Sequence, residues 1–240
     1  MSSGVGDGLT STRGNWSFGG ETARRFDEHV AKSVPLYFAG HDLLCDISDF
    51  FVQEDSVCYE VGCSTGTLTL RLAEHNNAIP SARFVGMDIE PAMIVEAEAK
   101  QASRGVHNAS FFVQDATLFE FEPCDMIVCY YTMQFIRPSI RQAFVQKCYD
   151  SLRWGGAFLL FEKVRGPDAR FQDILSTLYC EHKLRQGYTA EEIVAKTQSL
   201  KGVLEPFSSQ ANVEMMQRAG FEDILSVQKY LSFEGFLAIK

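Results

Sequence analysis

One segment constrains this chain more than any other. An apolar run, Ser56–Val61, passes into Glu60-Val61-Gly62-Cys63-Ser64-Thr65-Gly66 and then directly into helical spacing over Leu68–His75. Gly62 and Gly66 permit a tight turn that brings backbone N–H groups to a helix N-terminus, where they can face a ligand. A second strand, Arg83–Asp88, follows and ends in an acid. A strand returned to the same edge through a helix must pair in parallel, because parallel neighbours need a crossover connection.

The rest of the chain repeats that unit. Pro91 opens a helix at its first turn, Ala109–Gln114 reads as a third strand, and Cys124–Tyr130 reads as a fourth. The fourth strand is almost entirely apolar, as a strand covered on both faces must be. A helix over about Ser139–Leu152 is expected to stop at Trp154-Gly155-Gly156, before a fifth strand Ala157–Glu162. The predicted fold is therefore α/β: a doubly wound, mostly parallel, Rossmann-like sheet. N-terminal helices over Glu21–Phe51, divided by Pro35, precede it. Helical spacing from Phe171 to Leu204 interrupts the alternation, which predicts an inserted helical lid over about 168–207. Ile224–Tyr230 and Phe233–Ile239 are expected to close the chain as a hairpin. Residues 1–15, rich in Gly, Ser and Thr, read as a disordered leader, and 16–240 as one domain.

The loop also narrows the ligand. It lacks the three-glycine spacing favoured for pyrophosphate and the Gly-Lys-Ser/Thr of a P-loop. Asp88 lies about twenty residues beyond the loop, where a carboxylate can accept both ribose hydroxyls. Glu60 suits a cationic amine. S-adenosyl-L-methionine, with ribose, adenine, sulfonium and amino-acid end, fits this set better than a phosphate-bearing cofactor. Gly62, Ser64 and Gly66 in the loop, Ile89 and Met93 after Asp88, and Asp115 and Ala116 after the third strand are the expected contacts. Tyr130 and Gln134 join them at the carboxyl edge, where open sheets bind ligands and where a ring face can approach a sulfonium. Methyl transfer from such a donor needs mainly alignment, so no catalytic group is demanded. Glu162, His182 and Tyr130 are the candidates if a proton must move. Tyr131, Glu162, Lys163, His182 and Tyr188 are the candidate acceptor contacts.

Composition excludes more than it identifies. A formal net charge of -9 disfavours a phosphate backbone as a bulk partner. Lys183–Arg185 and Lys196–Lys201 read as solvated helix faces, and His29, His41, His75 and His107 as surface positions. The seven cysteines show no CxxC and no paired His spacing, which predicts free thiols, a cytoplasmic setting and no metal site. No basic, apolar leader and no membrane-length apolar run is present.

The chain resembles a known family through Ser33-Val34-Pro35-Leu36-Tyr37, the loop Glu60–Thr67, Asp88-Ile89-Glu90-Pro91-Ala92-Met93-Ile94, Tyr131-Thr132-Met133-Gln134-Phe135 and Glu162-Lys163. The likeness continues through Gly187-Tyr188, Glu192-Ile193 and Ala219-Gly220-Phe221, from about Asn15 onward. These segments resemble the carboxy-S-adenosylmethionine synthases, which convert the cofactor with prephenate for tRNA wobble-uridine modification. The resemblance implies a class I methyltransferase fold with a helical lid, a homodimer, and cofactor contacts at Tyr37, Gly62, Asp88, Ile89, Asp115 and Ala116. Two positions depart from it. The family holds the added carboxylate with an Arg where this chain has Thr197, and it has Asn where this chain has Tyr130. A Thr hydroxyl cannot supply the paired bonds of a guanidinium, and Lys196, one position away, is expected to point elsewhere. On that ground the sequence ranks three readings. First comes a methyltransferase acting on a small-molecule acceptor, then the carboxy-cofactor synthase, then a non-catalytic cofactor-binding module.

Overall fold

The computed structural model describes residues 3–240. Three N-terminal helices, α1 (Glu21–Arg24), α2 (Phe26–Ser33) and α3 (Tyr37–Ser48), lead into the sheet, with Pro35 breaking the chain between the last two. The alternation then runs β3 (Val57–Val61), α4 (Thr67–His75), β4 (Arg83–Asp88), α5 (Pro91–Arg104), β5 (Ala109–Val113), β6 (Cys124–Tyr130), α6 (Pro138–Ser151) and β7 (Leu152–Lys163). The lid helices α7 (Ala169–Arg185) and α8 (Ala190–Ser199) follow, then α9 (Ser209–Ala219), β8 (Asp223–Tyr230) and β9 (Phe233–Ile239).

The seven strands lie in the order β5-β4-β3-β6-β7-β9-β8. All pairings from β5 to β7 are parallel, and β9 and β8 add antiparallel strands at the far side. From β3 the chain winds outward through β4 and β5, then returns to lay β6 on the other side of β3. That reversal opens a crevice above the carboxyl ends of β3 and β6. It places the Gly62–Gly66 loop beside Tyr130-Tyr131. The interior strands are buried on both faces, and their alternating side chains feed two apolar clusters.

Two expectations about this architecture change. Residues 3–11, expected within a disordered leader, form a hairpin of β1 (Ser3–Gly6) and β2 (Leu9–Ser11); residues 1 and 2 lie outside the described residues. The hairpin orders because Val5 and Leu9 bury with Trp16 against Ala195, Leu200 and Val203 of the lid. Each such side chain contributes roughly 1.5–3 kcal/mol when fully buried, a gain that depends on a partner distant in sequence. The second change is at Trp154-Gly155-Gly156, which lies within β7 and does not separate helix from strand. Gly155 N donates to Lys240 O and Lys240 N to Gly156 O, so the chain's last residue extends the ladder.

The lid helices are capped by their own sequence. Asp168 accepts from Phe171 N at 3.1 Å, and Thr189 with Glu192 forms a reciprocal capping box. Among the described residues no helix is long and apolar enough to cross a membrane.

Candidate functional site

The loop after β3 is held open by the end of β4. Gly62 N and Cys63 N donate to Met87 O at 2.8 and 2.9 Å, and Ser64 N donates to Asp88 Oδ2 at 2.9 Å. Asp88 Oδ1 accepts from Glu90 N at 2.9 Å, so one carboxylate sets both the loop and the start of α5. Burial raises the Asp88 pKa against these bonds. Gly62 has φ +69, and a Cβ there would collide with the Thr132 side chain at the end of β6. The glycine is what lets the two strand ends approach.

Above this loop lies a cavity of about 1000 Å³. Gly62, Ser64, Asp88, Ile89, Met93, Asp115 and Ala116 line one end. Asp115 Oδ1 also caps its own turn, accepting from Thr117 N at 2.9 Å and Thr117 Oγ1 at 2.7 Å. In the middle, Tyr37, Tyr130 and Tyr131 gather, with the Tyr130 ring centroid 5.1 Å from that of Tyr37 and 4.8 Å from that of Tyr131. The far end is roofed by the lid and lined by Lys163, Tyr179, Lys183, Lys196 and Thr197.

Most of the residues expected at the cofactor end and the seam therefore share one wall: Tyr37, Gly62, Ser64, Asp88, Ile89, Met93, Asp115, Ala116, Tyr130, Tyr131, Gln134 and Lys163. Five others do not reach it. Glu60 points to the opposite side of its strand, buried under α4, where Thr69 Oγ1 donates to it and burial raises its pKa to about 8. Its neighbour Val61 lines the cavity instead, as strand alternation requires. Gly66 packs below, where a Cβ would meet Ala97 and Phe111 at 2.7 Å. Glu162 is buried beneath the seam with Oε1 unpartnered. Burial outweighs the Arg141 charge and the Met133 and Gln134 N–H groups, and it raises the Glu162 carboxyl pKa well above the usual range. His182 stacks on Tyr179 outside the wall, and burial lowers its pKa. Tyr188 donates to Asp7 Oδ2 at 2.6 Å, fastening the N-terminal hairpin to the lid.

Gln134 and Tyr130 line the cavity but are committed to the framework. Gln134 Nε2 donates to Tyr131 O and its Oε1 accepts from Lys163 N, at 3.0 and 3.2 Å. Tyr130 OH donates to Tyr37 O at 2.5 Å.

The lid corrects the sequence reading most. Lys183 and Lys196, expected on solvated faces, are 4% and 6% exposed and line the cavity. Lys196 does not point away: Ile193, Lys196, Thr197, Leu200, Lys201 and Leu204 all turn to the cavity, one face at helical spacing. The Thr197 hydroxyl is taken up by Ile193 O at 2.8 Å. Two histidines expected at the surface are buried as well. His29 stacks on Trp16 and bonds Asp7 at 2.7 Å, while His41 packs among Tyr37, Phe38 and Tyr130 with neither ring nitrogen partnered. His75 and His107 are exposed. The cysteines are free thiols, and among the described residues no His/Cys/Asp/Glu group could hold a metal ion.

Comparison with known proteins supports the fold and shows the family. Residues 59–156 match the family model of a methyltransferase domain. The fold is shared with human N-acetylserotonin methyltransferase, solved in complex with SAM. That likeness has a TM-score of 0.62 at 14% identity and covers 92% of this chain and 56% of that one. A SAM-dependent methyltransferase from Methanosarcina mazei matches with a TM-score of 0.59 at 18% identity, over 81% of this chain and 96% of that one. Curated relatives are closer in sequence. The carboxy-S-adenosyl-L-methionine synthase of Staphylococcus epidermidis is 37% identical over 94% of this chain and 97% of its own length. The one from Campylobacter lari is 34% identical over 94% of each. With this identity over nearly the full length of each, the chain belongs to the carboxy-S-adenosyl-L-methionine synthase family.

Proposed function

We propose that this protein is a carboxy-S-adenosyl-L-methionine synthase, taking S-adenosyl-L-methionine as its cofactor and prephenate as the source of the added carboxylate. Identity to enzymes of that name along nearly the full length of both chains carries the reading. The cavity supports it, because its volume of about 1000 Å³ stands at the upper end of small-molecule sites, with room for a cofactor and a second ligand together. This reorders the expectation drawn from Thr197, since the neighbouring Lys196 turns its amine to the same cavity.

The residues present fit the cofactor. Asp88 and Asp115 face the same end of the cavity between apolar Ile89, Met93 and Ala116. Asp88 would hold the ribose and Asp115 the adenine amine, with the sulfonium beside the tyrosine cluster. When bound, the cofactor supplies a methyl group activated by the adjacent sulfonium. This chain's part is to align the second ligand with that methyl and to keep water out under the lid. Burial raises the hydroxyl pKa of Tyr130 and Tyr131 and the carboxyl pKa of Glu162.

The test is mass spectrometry of the nucleoside products after incubation with S-adenosyl-L-methionine and prephenate. A cofactor heavier by one carboxylate is expected. A demethylated cofactor with a methylated acceptor would instead support a methyltransferase, and binding without turnover a non-catalytic module. The same reading takes the protein to work in the cytoplasm, which suits unpaired cysteines, and as a homodimer. Phe171, Ile174 and Leu178 form an exposed apolar stripe along α7 that suits a partner copy, and light scattering of the purified protein checks it.

A further inference from the structure

Three lysine amines from three separate elements converge on the lid end of the cavity: Lys163 from the end of β7, Lys183 from α7 and Lys196 from α8. Each is buried against aromatic rings and not against acids. Lys163 Nζ lies 4.3 Å from the Tyr179 ring centroid, Lys183 Nζ lies 5.6 Å from the same centroid, and Lys196 Nζ rests on the Trp16 ring. Among the described residues none of the three has a hydrogen bond or an ion pair. The carboxylates that line the cavity, Asp88 and Asp115, stand at the other end.

The acids nearest these lysines are committed elsewhere. Asp7 accepts from Lys32 at 2.8 Å, from His29 at 2.7 Å and from Tyr188 at 2.6 Å. Glu192 is bound in the Thr189 capping box. Clustering buried cations without counter-ions is costly and is relieved only by an anion or by loss of a proton. A ring face offsets part of that cost and leaves the N–H donors free for a ligand.

Resting on the proposed function, we propose that Lys163, Lys183 and Lys196 form the subsite that holds the carboxylates of the second reactant, with Tyr179, Phe233 and Trp16 as its walls. Tyr179 and Phe233 flank Lys163, whose Nζ is 5.8 Å from the Phe233 centroid, and they give a flat ligand body an apolar face to lie on. Two of the three cations stand ready at neutral pH. Burial, with the neighbouring Lys183 charge in the case of Lys163, lowers Lys163 and Lys183 only to about 8. Lys196 is the third: burial and the Lys183 charge bring it to about 5, against the pull of Asp7. His29, the other titratable group facing it, is itself brought to about 4 by burial and by Lys196. Tyr188, beside His29 and Lys183, keeps its hydroxyl proton because burial and Asp7 raise its pKa. A bound carboxylate restores the Lys196 proton, so binding takes up a proton from solution.

The test uses Lys163→Met, Lys183→Met and Lys196→Met, which keep most of the side-chain volume and suit an aromatic setting, together with Lys183→Arg. The expected result is a KM for prephenate raised at least about tenfold in each Met variant, with S-adenosyl-L-methionine binding by calorimetry unchanged and the KM partly restored in Lys183→Arg relative to Lys183→Met. Titrating prephenate at pH 7 into the wild type loaded with the demethylated cofactor, which has no methyl to react, in buffers of different ionisation enthalpy, should show uptake of about one proton, lost in Lys196→Met. An unchanged KM in the Met variants, or a parallel loss of cofactor affinity, overturns the subsite. Should the wild type make no carboxylated cofactor, the proposed activity fails, and the titration alone then decides the subsite. Prephenate binding that disappears in the Met variants sustains it, and no binding to the wild type overturns it.

Discussion

The two ends of the cavity are built on opposite principles. At the cofactor end, charge is acidic and satisfied: Asp88 accepts from Ser64 N and Glu90 N, and Asp115 from Thr117. Its parts come from strand ends within one stretch of chain, fixed by the ladder. At the lid end, charge is basic and unsatisfied, and its parts come from β7, α7, α8 and the N-terminal segment. The first end is already shaped before a ligand arrives. The second holds its cations apart from acids until an anion completes it. A net charge of -9 for the whole chain conceals this division; the local arrangement, not the total, selects the ligand.

The largest effect should come from breaking the satisfied end. Asp88→Ala removes the acceptor for two backbone N–H groups and the group proposed to hold the ribose. Hydrogen bonds to a charged acceptor are worth about 1.5–3 kcal/mol each. S-adenosyl-L-methionine affinity should therefore fall by roughly 100-fold, read by calorimetry. A loss below about threefold would mean the loop is held without Asp88 and the cofactor end is not preorganised by it.

A smaller effect, on stability and not binding, is expected below the same loop. Glu60 is raised from 4.5 to about 8 in the folded chain by burial. Between those values the folded protein retains a proton that the unfolded chain releases, so stability falls as pH rises, by up to about 1.4 kcal/mol per unit. Glu60→Gln keeps the acceptor for Thr69 and removes the titration. Its unfolding temperature should match the wild type near pH 4 and exceed it at pH 8, by up to about 4 kcal/mol in stability. Curves that stay parallel across that range would show Glu60 ionised in the fold.

The contrast between the ends also explains what could be read in advance. Asp88, Gly62 and Asp115 sit at fixed offsets from strand ends, and strand ends follow from apolar runs; their placement survives translation into three dimensions. Glu60 was misjudged by a single residue of alternation, a distinction the apolar run cannot display because β3 is buried on both faces. Lys183 and Lys196 were misread because a basic residue on a helix is usually solvated. The signal that could have found them is the spacing Ile193, Lys196, Thr197, Leu200, with Tyr179 one turn before Lys183. That spacing assigns a face, yet only the hairpin at residues 3–11 and Trp16, distant in sequence, turn the face inward.

Tyr130 stands where the two ends meet and gives the smallest and most discriminating change. It lines the cavity and has a hydroxyl, which makes it look chemical. The hydroxyl, however, donates to Tyr37 O at 2.5 Å, and its proton is held firmly by burial and by the neighbouring Tyr131 and Tyr37. Its role is then to tie the end of β6 to the first turn of α3, fixing the seam against which both ligands are aligned. Tyr130→Phe keeps the ring and leaves one carbonyl without that donor. Stability should fall by about 1 kcal/mol, a few degrees in unfolding temperature for a chain of this size, while kcat stays within about twofold because no transition-state contact is lost. A fall in kcat with KM for both ligands unchanged would assign the hydroxyl to the chemistry, and the seam would then be an active part of the site instead of its frame.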